Sequence, residues 1–366
     1  MRLAALVALS MSMAMLGCGA GSGLPSANSD QPASNELAIR KHYRVTDLPP
    51  LSGAVRAQAN AIVGWQVVGY STLADTVTTR ATLWRNGRPH DLGNGAATAL
   101  NHWGQIVGYQ TVGHMSDGSA IVHATLWEHG LVIDIGTLPG YNSCQASGIN
   151  DSGIVVGSCY FPQAGFVWTA GRGIRPLPGS FQAFAINASG VIAGEDTKGN
   201  AALFVGKREI NLGLFANFAV ATAVNREGHA AGLSPLNDIF GPDAFFYPGN
   251  GAPLQDLGVL TNGADDTEAT GISNSDTIVG LDSYPPGGRL RSTNARVEAA
   301  GSRDINVFTT LAFIWTPKTG LQDLNTRIPV DSGWTLAGAF GIDENDDAIV
   351  GVGLINGEVH GFMLTR

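Results

Sequence analysis

Short apolar runs, each closed by a glycine, recur along most of the chain. The closing glycines are Gly69, Gly108, Gly157, Gly194, Gly232, Gly280 and Gly351, at intervals of 37 to 49 residues except for one of 71. Recurrence at this spacing marks a repeat architecture, each copy being one supersecondary unit. The third copy shows the unit clearly. Ala146-Ser147-Gly148-Ile149-Asn150 leads into the turn Asp151-Ser152-Gly153. The runs Ile154-Val155-Val156-Gly157, Gly165-Phe166-Val167-Trp168 and Gly173-Ile174-Arg175-Pro176-Leu177 follow. Each copy therefore predicts four short strands. The first ends in Ile-Asn or its equivalent, and Asn at the start of a turn with Gly at its end is ordinary turn chemistry. The third is aromatic, as in Ala124-Thr125-Leu126-Trp127 and Ala312-Phe313-Ile314-Trp315. The fourth ends in Asp91-Leu92-Gly93, Asp134-Ile135-Gly136, Asn211-Leu212-Gly213, Asp256-Leu257-Gly258 or Asp323-Leu324-Asn325.

Four strands in about 40–45 residues, with glycine and aromatic markers in each unit, predict propeller blades. Strands this short cannot hide two apolar faces alone, whereas stacked blades bury both. The seventh copy stops at Arg366, directly after its third strand. Tyr43–Leu48, ahead of the first copy, reads as an orphan fourth strand, and pairing it with the last copy would remove an open edge. The predicted fold is all-β: a seven-bladed β-propeller of four-stranded antiparallel blades over residues 42–366, closed by the N-terminal strand pairing in the last blade. A right-handed β-solenoid is the competing architecture, and it needs no borrowed strand.

The N-terminus reads differently. Arg2 is the only charge in residues 1–18, and Leu3 to Leu16 is an uncharged stretch too short for a stable membrane span but suited to a secretory signal. It ends in Met15-Leu16-Gly17-Cys18, which resembles the lipobox of bacterial lipoproteins. The resemblance implies lipid modification of Cys18. Gly19 follows where an inner-membrane retention Asp would stand, which implies an outer-membrane or cell-surface anchor. Met15 and Leu16 depart from the commonest lipobox residues, so ordinary cleavage to a periplasmic or extracellular protein stays open. Residues 19–41, rich in Gly, Ser, Pro and Asn, predict a disordered tether.

Composition narrows the partners. The chain of 366 residues holds 49 Gly and 17 Pro, only 14 % charged residues, and a net charge of −9. With no Lys/Arg cluster, nucleic acid is excluded as an expected partner. The membrane is to be met only through the lipid anchor, and the chain is expected to act as a monomer. With Cys18 lipidated, Cys144 and Cys159 remain, and export predicts a disulfide between them. They lie six residues from either side of their turn. An even-length turn sets them face to face, and a three-residue turn sets them on opposite sides.

The repeats resemble the bacterial HAF extracellular repeat family, named for a His-Ala-Phe-type triplet before Leu-Trp. His123-Ala124-Thr125-Leu126-Trp127 and His360-Gly361-Phe362 come closest, while Arg80, Gly165, Ala201, Asp243 and Leu311 hold the His position elsewhere. The resemblance covers residues 42–366. It implies secretion and a propeller-like fold, and supplies no catalytic residues.

No Gly-x-Ser-x-Gly elbow, P-loop or His-Glu-x-x-His pattern occurs, and neither a catalytic residue, a metal site nor a cofactor is predicted. Asp343-Glu344-Asn345-Asp346-Asp347 starts like a calcium loop, but Ala348 stands where that loop needs Gly; a solvated turn is the competing reading. The repeated Asp of the fourth strand reads as a turn or inter-blade hydrogen-bond device, and the third-strand aromatics as core. Irregular connections at Thr111 to Val122, Leu281 to Leu311 and Asn325 to Trp334 would emerge on one face, where recognition usually lives. Tyr284, Arg289, Arg291, Arg303, His114 and Trp334 are the candidate binding residues. The expected function is a surface-displayed module that binds a ligand, glycan or protein, on that face. The alternatives are a polysaccharide-acting hydrolase or lyase with its site at the channel mouth, and a structural envelope protein with no pocket.

Overall fold

The computed structural model describes residues 43–160, 162–213, 218–234, 243–260, 266–283 and 310–366. The predicted signal, Cys18 and the tether lie outside the described residues, as do Tyr284, Arg289, Arg291 and Arg303. Strand β1 (Arg44–Leu48) comes first, followed by β2 (Ala54–Val63), β3 (Gln66–Leu73), β4 (Thr79–Arg85) and β5 (Arg88–Leu100) as an antiparallel meander. The second unit runs on through β6 (Ile106–His114), β7 (Ala120–Glu128) and β8 (Leu131–Gly136). The third holds β9 (Ser143–Ile149), β10 (Val155–Tyr160), β11 (Ala164–Thr169) and β12 (Gly173–Pro176). The fourth holds β13 (Ser180–Ile186), β14 (Val191–Asp196), β15 (Ala201–Val205) and β16 (Arg208–Gly213). In the fifth are β17 (Val220–Val224), β18 (Ala230–Ser234), β19 (Asp243–Tyr247) and β20 (Gln255–Asp256). The sixth holds β21 (Asp266–Ile272), β22 (Ile278–Ser283), β23 (Thr310–Thr316) and β24 (Gly320–Asp323). The last holds β25 (Trp334–Ile342), β26 (Ala348–Ile355) and β27 (Glu358–Thr365).

The fold is all-β and propeller-like, but its ladders differ from seven separate four-stranded sheets. Units three to six are four-stranded sheets, while the remaining strands join into one 11-stranded sheet. Two features fuse it. β5 passes unbroken from the first unit into the second, through Gly93 and Gly95 at φ of 113° and 127°, values that favour glycine. A single parallel bridge, Arg56 with Val359, also joins β2 to β27. Among the described residues no ladder runs round in a closed circuit. β1 pairs antiparallel with β27, from Arg44 opposite Thr365 to Leu48 opposite Gly361. The Thr111–Val122 segment is no irregular loop: it extends β6 and β7 as a hairpin to His114 and Ala120, closed by a Met115–Ser119 turn.

One irregularity recurs in every unit. The ladder between first and second strands slips by one residue at Asn60, Thr98, Ser147, Phe184, Thr222, Thr270 and Phe340. These are β-bulges. The alanine before each bulge pairs with the glycine that closes the apolar run, for example Ala59 with Gly69 and Ala339 with Gly351. A Cβ at Gly280 would stand 2.0 Å from the Glu268 carbonyl oxygen and 2.6 Å from the Phe313 ring. The other six glycines face a carbonyl at 1.9 to 2.1 Å. The glycine that marks each repeat is thus there for close backbone approach at the bulge.

The core is divided between units. Val68 and Leu83 meet Ile106 and Trp127, Val107 and Leu126 meet Val155 and Phe166, and Val156 and Leu177 meet Ile192 and Phe204. Further round, Leu203 meets Phe245, Phe246 meets Ile278 and Trp315, and Ile314 meets Leu336 and Phe362. One more cluster joins the first unit to the last: Val67 and Trp84 with Leu48, Val350 and Met363. Polar side chains stitch the same neighbours. Asn101 donates to the Asn150 carbonyl (3.1 Å), Asn150 to Asn187 (3.1 Å), Asn187 to Asn225 (2.8 Å) and Asn225 to Ser273 (3.0 Å). Meanwhile Asn150 Oδ1 accepts the turn amides of Ser152 and Ile154, so one residue caps its own turn and ties the next unit.

Cys144 and Cys159 are paired across β9 and β10 and form a disulfide. Their alignment has a cause that turn length alone misses. The β9–β10 turn holds the odd run Asn150–Ile154 between the paired Ile149 and Val155, and the bulge at Ser147 removes the resulting offset.

Candidate functional site

The bulges aim their side chains at one place. Asn60, Thr98, Ser147, Phe184, Thr222, Thr270 and Phe340, one from each first strand, all line a cavity of about 240 Å3. A bulge re-aims a side chain without ending the strand, so seven bulges at the same step can converge on a common cavity. Most polar bulge residues are spoken for. Asn60 donates to the Ala97 carbonyl (2.9 Å), Thr98 to Ala146 (2.8 Å), Thr222 to Ala269 (2.6 Å) and Thr270 to Ala339 (2.6 Å). Ser147 is the exception. In the next unit's first strand, Ala183 is engaged by Ser158 instead, whose hydroxyl donates to its carbonyl at 3.4 Å and accepts its N–H at 3.1 Å. Ser147 Oγ is buried with no partner among the described residues.

Toward the end where the β14–β15 connection emerges, Gln58, Gln182, Glu195 and Glu268 join the lining. Gln58 is held by Asn60 (2.9 Å) and the Tyr70 hydroxyl (3.0 Å). Phe184, Phe218, Val220, Leu233 and Phe340 supply the apolar wall. Among the described lining residues there is no lysine, arginine or histidine. A mostly apolar cavity with a few converging polar groups is the usual form of a ligand site. Among the described residues no three His, Cys, Asp or Glu side chains converge as metal ligands would.

A second depression, about 530 Å3, lies between the β3–β4 and β6–β7 hairpins and is lined by Tyr70, Thr79, Tyr109, His114 and Gln145. Burial raises the Tyr109 phenol above its ordinary value, opposed in part by a bond to Thr79. Of the predicted binding residues, His114 is exposed on the rim of this depression. Trp334 begins β25, half-buried and edge-on to Phe362 with ring centres 6.3 Å apart. Neither lines the bulge cavity. The bulge residues that line it escaped sequence reasoning although a signal exists: each is the middle residue of Ala-x-Ala or Ala-x-Gly ahead of the Ile-Asn position.

The repeated fourth-strand Asp and Asn side chains serve the sheet. Asp91, Asp134, Asn211 and Asp256 each accept the backbone N–H of a glycine two residues on. Their other role reaches the third strand. Arg80 pairs with Asp91 (2.6 Å), His123 with Asp134 (3.0 Å) and His360 with Asp47 (2.8 Å). Asp47 comes from β1, so the first strand supplies the last unit with the acid that its neighbours carry on their own fourth strands. Burial pushes the Asp91 carboxyl up, but bonds from Arg80 and the Gly93 amide, with the Arg80 charge, hold it below its ordinary value. In the acidic turn, Asp343 accepts the Asp347 amide (2.7 Å), while Asp346 meets the Ser275 hydroxyl.

No family model and no curated protein matches the chain. It is similar in structure to the β-propeller domain of the Trilobed protease from Pyrococcus furiosus, at 10 % identity and TM-score 0.49, covering 89 % of this chain and 96 % of that one. A gluconolactonase from Xanthomonas campestris gives 11 % identity and TM-score 0.41 over 85 % and 98 % of the two chains. TolB from Acinetobacter baumannii gives 10 % identity and TM-score 0.41 over 88 % and 80 %. The architecture rests on the strand pairing and packing above.

Proposed function

We propose that the chain is an exported seven-bladed β-propeller that binds a ligand at the channel mouth, on the face carrying the long connections. The single observation that carries this is the bulge-lined cavity with the unpartnered Ser147 hydroxyl inside it. A buried hydroxyl left unsatisfied costs stability unless something fills the need. Ring closure is supported by the apolar cluster joining the first and last units and by the β1–β27 pairing. The HAF likeness, lipidation of Cys18 and surface display belong to the same proposal. The disulfide supports export, since such bonds persist in oxidising compartments.

An enzyme acting on polysaccharide is the second reading, and Glu195 and Glu268, two carboxylates on one cavity, favour it. The test is a glycan array and a peptide library run beside a polysaccharide hydrolysis screen. Ser147→Phe copies the residue found at positions 184 and 340 and fills the channel. We expect the parent to bind a member of the array or library and Ser147→Phe to lose it by roughly tenfold or more. Turnover without binding, abolished by Glu195→Gln or Glu268→Gln, would establish the enzyme reading instead.

A further inference from the structure

Two tryptophans stand in water on the face opposite the proposed mouth. Trp65 and Trp103 are 68 % and 71 % exposed, whereas Trp84, Trp127 and Trp315 are 5 % exposed or less. They occupy the tips of equivalent turns in neighbouring units, β2–β3 and β5–β6. The two tips touch: the amide of Gln66, next to Trp65, would lie 3.9 Å from a Cβ at Gly104, next to Trp103. The rings are steadied. Trp103 Nε1 donates to the Asp151 carbonyl at 3.0 Å. Trp65 forms one wall of a recess of about 250 Å3 with Thr46, Trp84, Asn86 and Met363. Beside Trp103, His102 is held between Asp151 (3.0 Å) and Glu344 (3.7 Å).

An indole left in water forgoes the burial that the other tryptophans gain, so apolar packing does not explain two of them on adjacent tips. We infer that the turn face carrying Trp103 and Trp65, with the recess between Trp65 and the β1–β27 clasp, forms a second binding site, for a neutral glycan. The apolar face of a sugar ring matches an indole face, and its hydroxyls match the side chains alongside: Thr46, Asn86, His102 and Asp151. Asp151 and Glu344 outnumber Arg44 of the recess, a balance that disfavours an anionic glycan. A protein partner would call for a broader apolar centre than two indoles set among hydrogen-bonding groups.

The test uses the full chain and three soluble probes: cellohexaose, chitohexaose and a neutral dextran. Titration followed by indole fluorescence and calorimetry is expected to show saturable binding of at least one. Trp65→Ala and Trp103→Ala should each weaken it by roughly tenfold, Trp→Tyr should restore part of it, and Ser147→Phe should leave it unchanged. Unaltered melting temperatures of the variants establish that folding is not the cause. Failure of all three probes, or undiminished binding by the double Ala variant, overturns the inference. So does a dimer in sedimentation that the double variant dissolves, which would make the occupant a second copy of the chain.

Discussion

Asp282, one residue before the end of β22, has only 2 % of its surface exposed. Burial, opposed by the Leu260 amide at 2.7 Å and aided by the nearby Asp323 charge, pushes its carboxyl from 3.8 up to about 6. The folded protein therefore keeps a proton that the unfolded chain gives up between those values. Stability from this group is complete below the ordinary carboxylate range and is lost as pH rises through about 6. Asp282→Asn should stabilise the protein at pH 7.5 by about 1–2 kcal/mol after allowance for solvent screening, and by little at pH 4. Urea unfolding at the two pH values checks this, and an equal effect at both would refute it. The seven bulge-facing glycines illustrate the opposite kind of constraint, steric rather than electrostatic. None of them could accept even a methyl group without moving a carbonyl.

The first hairpin of the third unit shows how two devices combine in one element. Its odd turn and its bulge cancel, and the cancellation puts Cys144 opposite Cys159. Replacing both with Ala should cost about 2–4 kcal/mol, and the double variant should ignore reductant while the parent loses a similar amount on reduction. Denaturation curves with and without dithiothreitol decide it. Strands, turns and aromatic core positions were legible because they obey a period: Gly, Asn and Trp are demanded by geometry at fixed steps. The cavity lining was less legible for the converse reason. A bulge residue is set by the backbone and its side chain is free to vary, so Asn, Thr, Ser and Phe alternate there, and only the flanking Ala and Gly mark the step. The unbroken β5 was equally hidden, since Gly93-Asn94-Gly95 reads as a turn and serves as a bend inside one strand. In the sequence Asn150 reads as a turn residue, and Asn101, Asn187 and Asn225 stand at the equivalent step. Their amide groups, which bind the neighbouring unit, could be assigned only once the units were side by side.

Around the molecule the polar stitches are uneven. Neither the Asn series nor the bulge hydroxyls bridge the last unit to the first, where Phe340 and Asp343 stand. That seam depends on β1, on the Leu48–Trp84–Met363 cluster, and on the single Arg56–Val359 bridge. Leu48→Ala should then cost about 2–4 kcal/mol, within the usual range for a buried leucine. Hydrogen exchange should find amides of Gly361–Thr365 losing protection before those of β13–β16. Uniform loss across the fold would contradict this. The pairing also sets the mechanics of the clasp. Because Arg44 lies opposite Thr365, the first and last strands leave the fold at the same edge. Tension between the two ends would peel the pairs apart one after another, as a zip opens, instead of loading all of them together in shear. Apolar seams that hold the units side by side would therefore do little against a modest pull applied at Arg44 and Thr365.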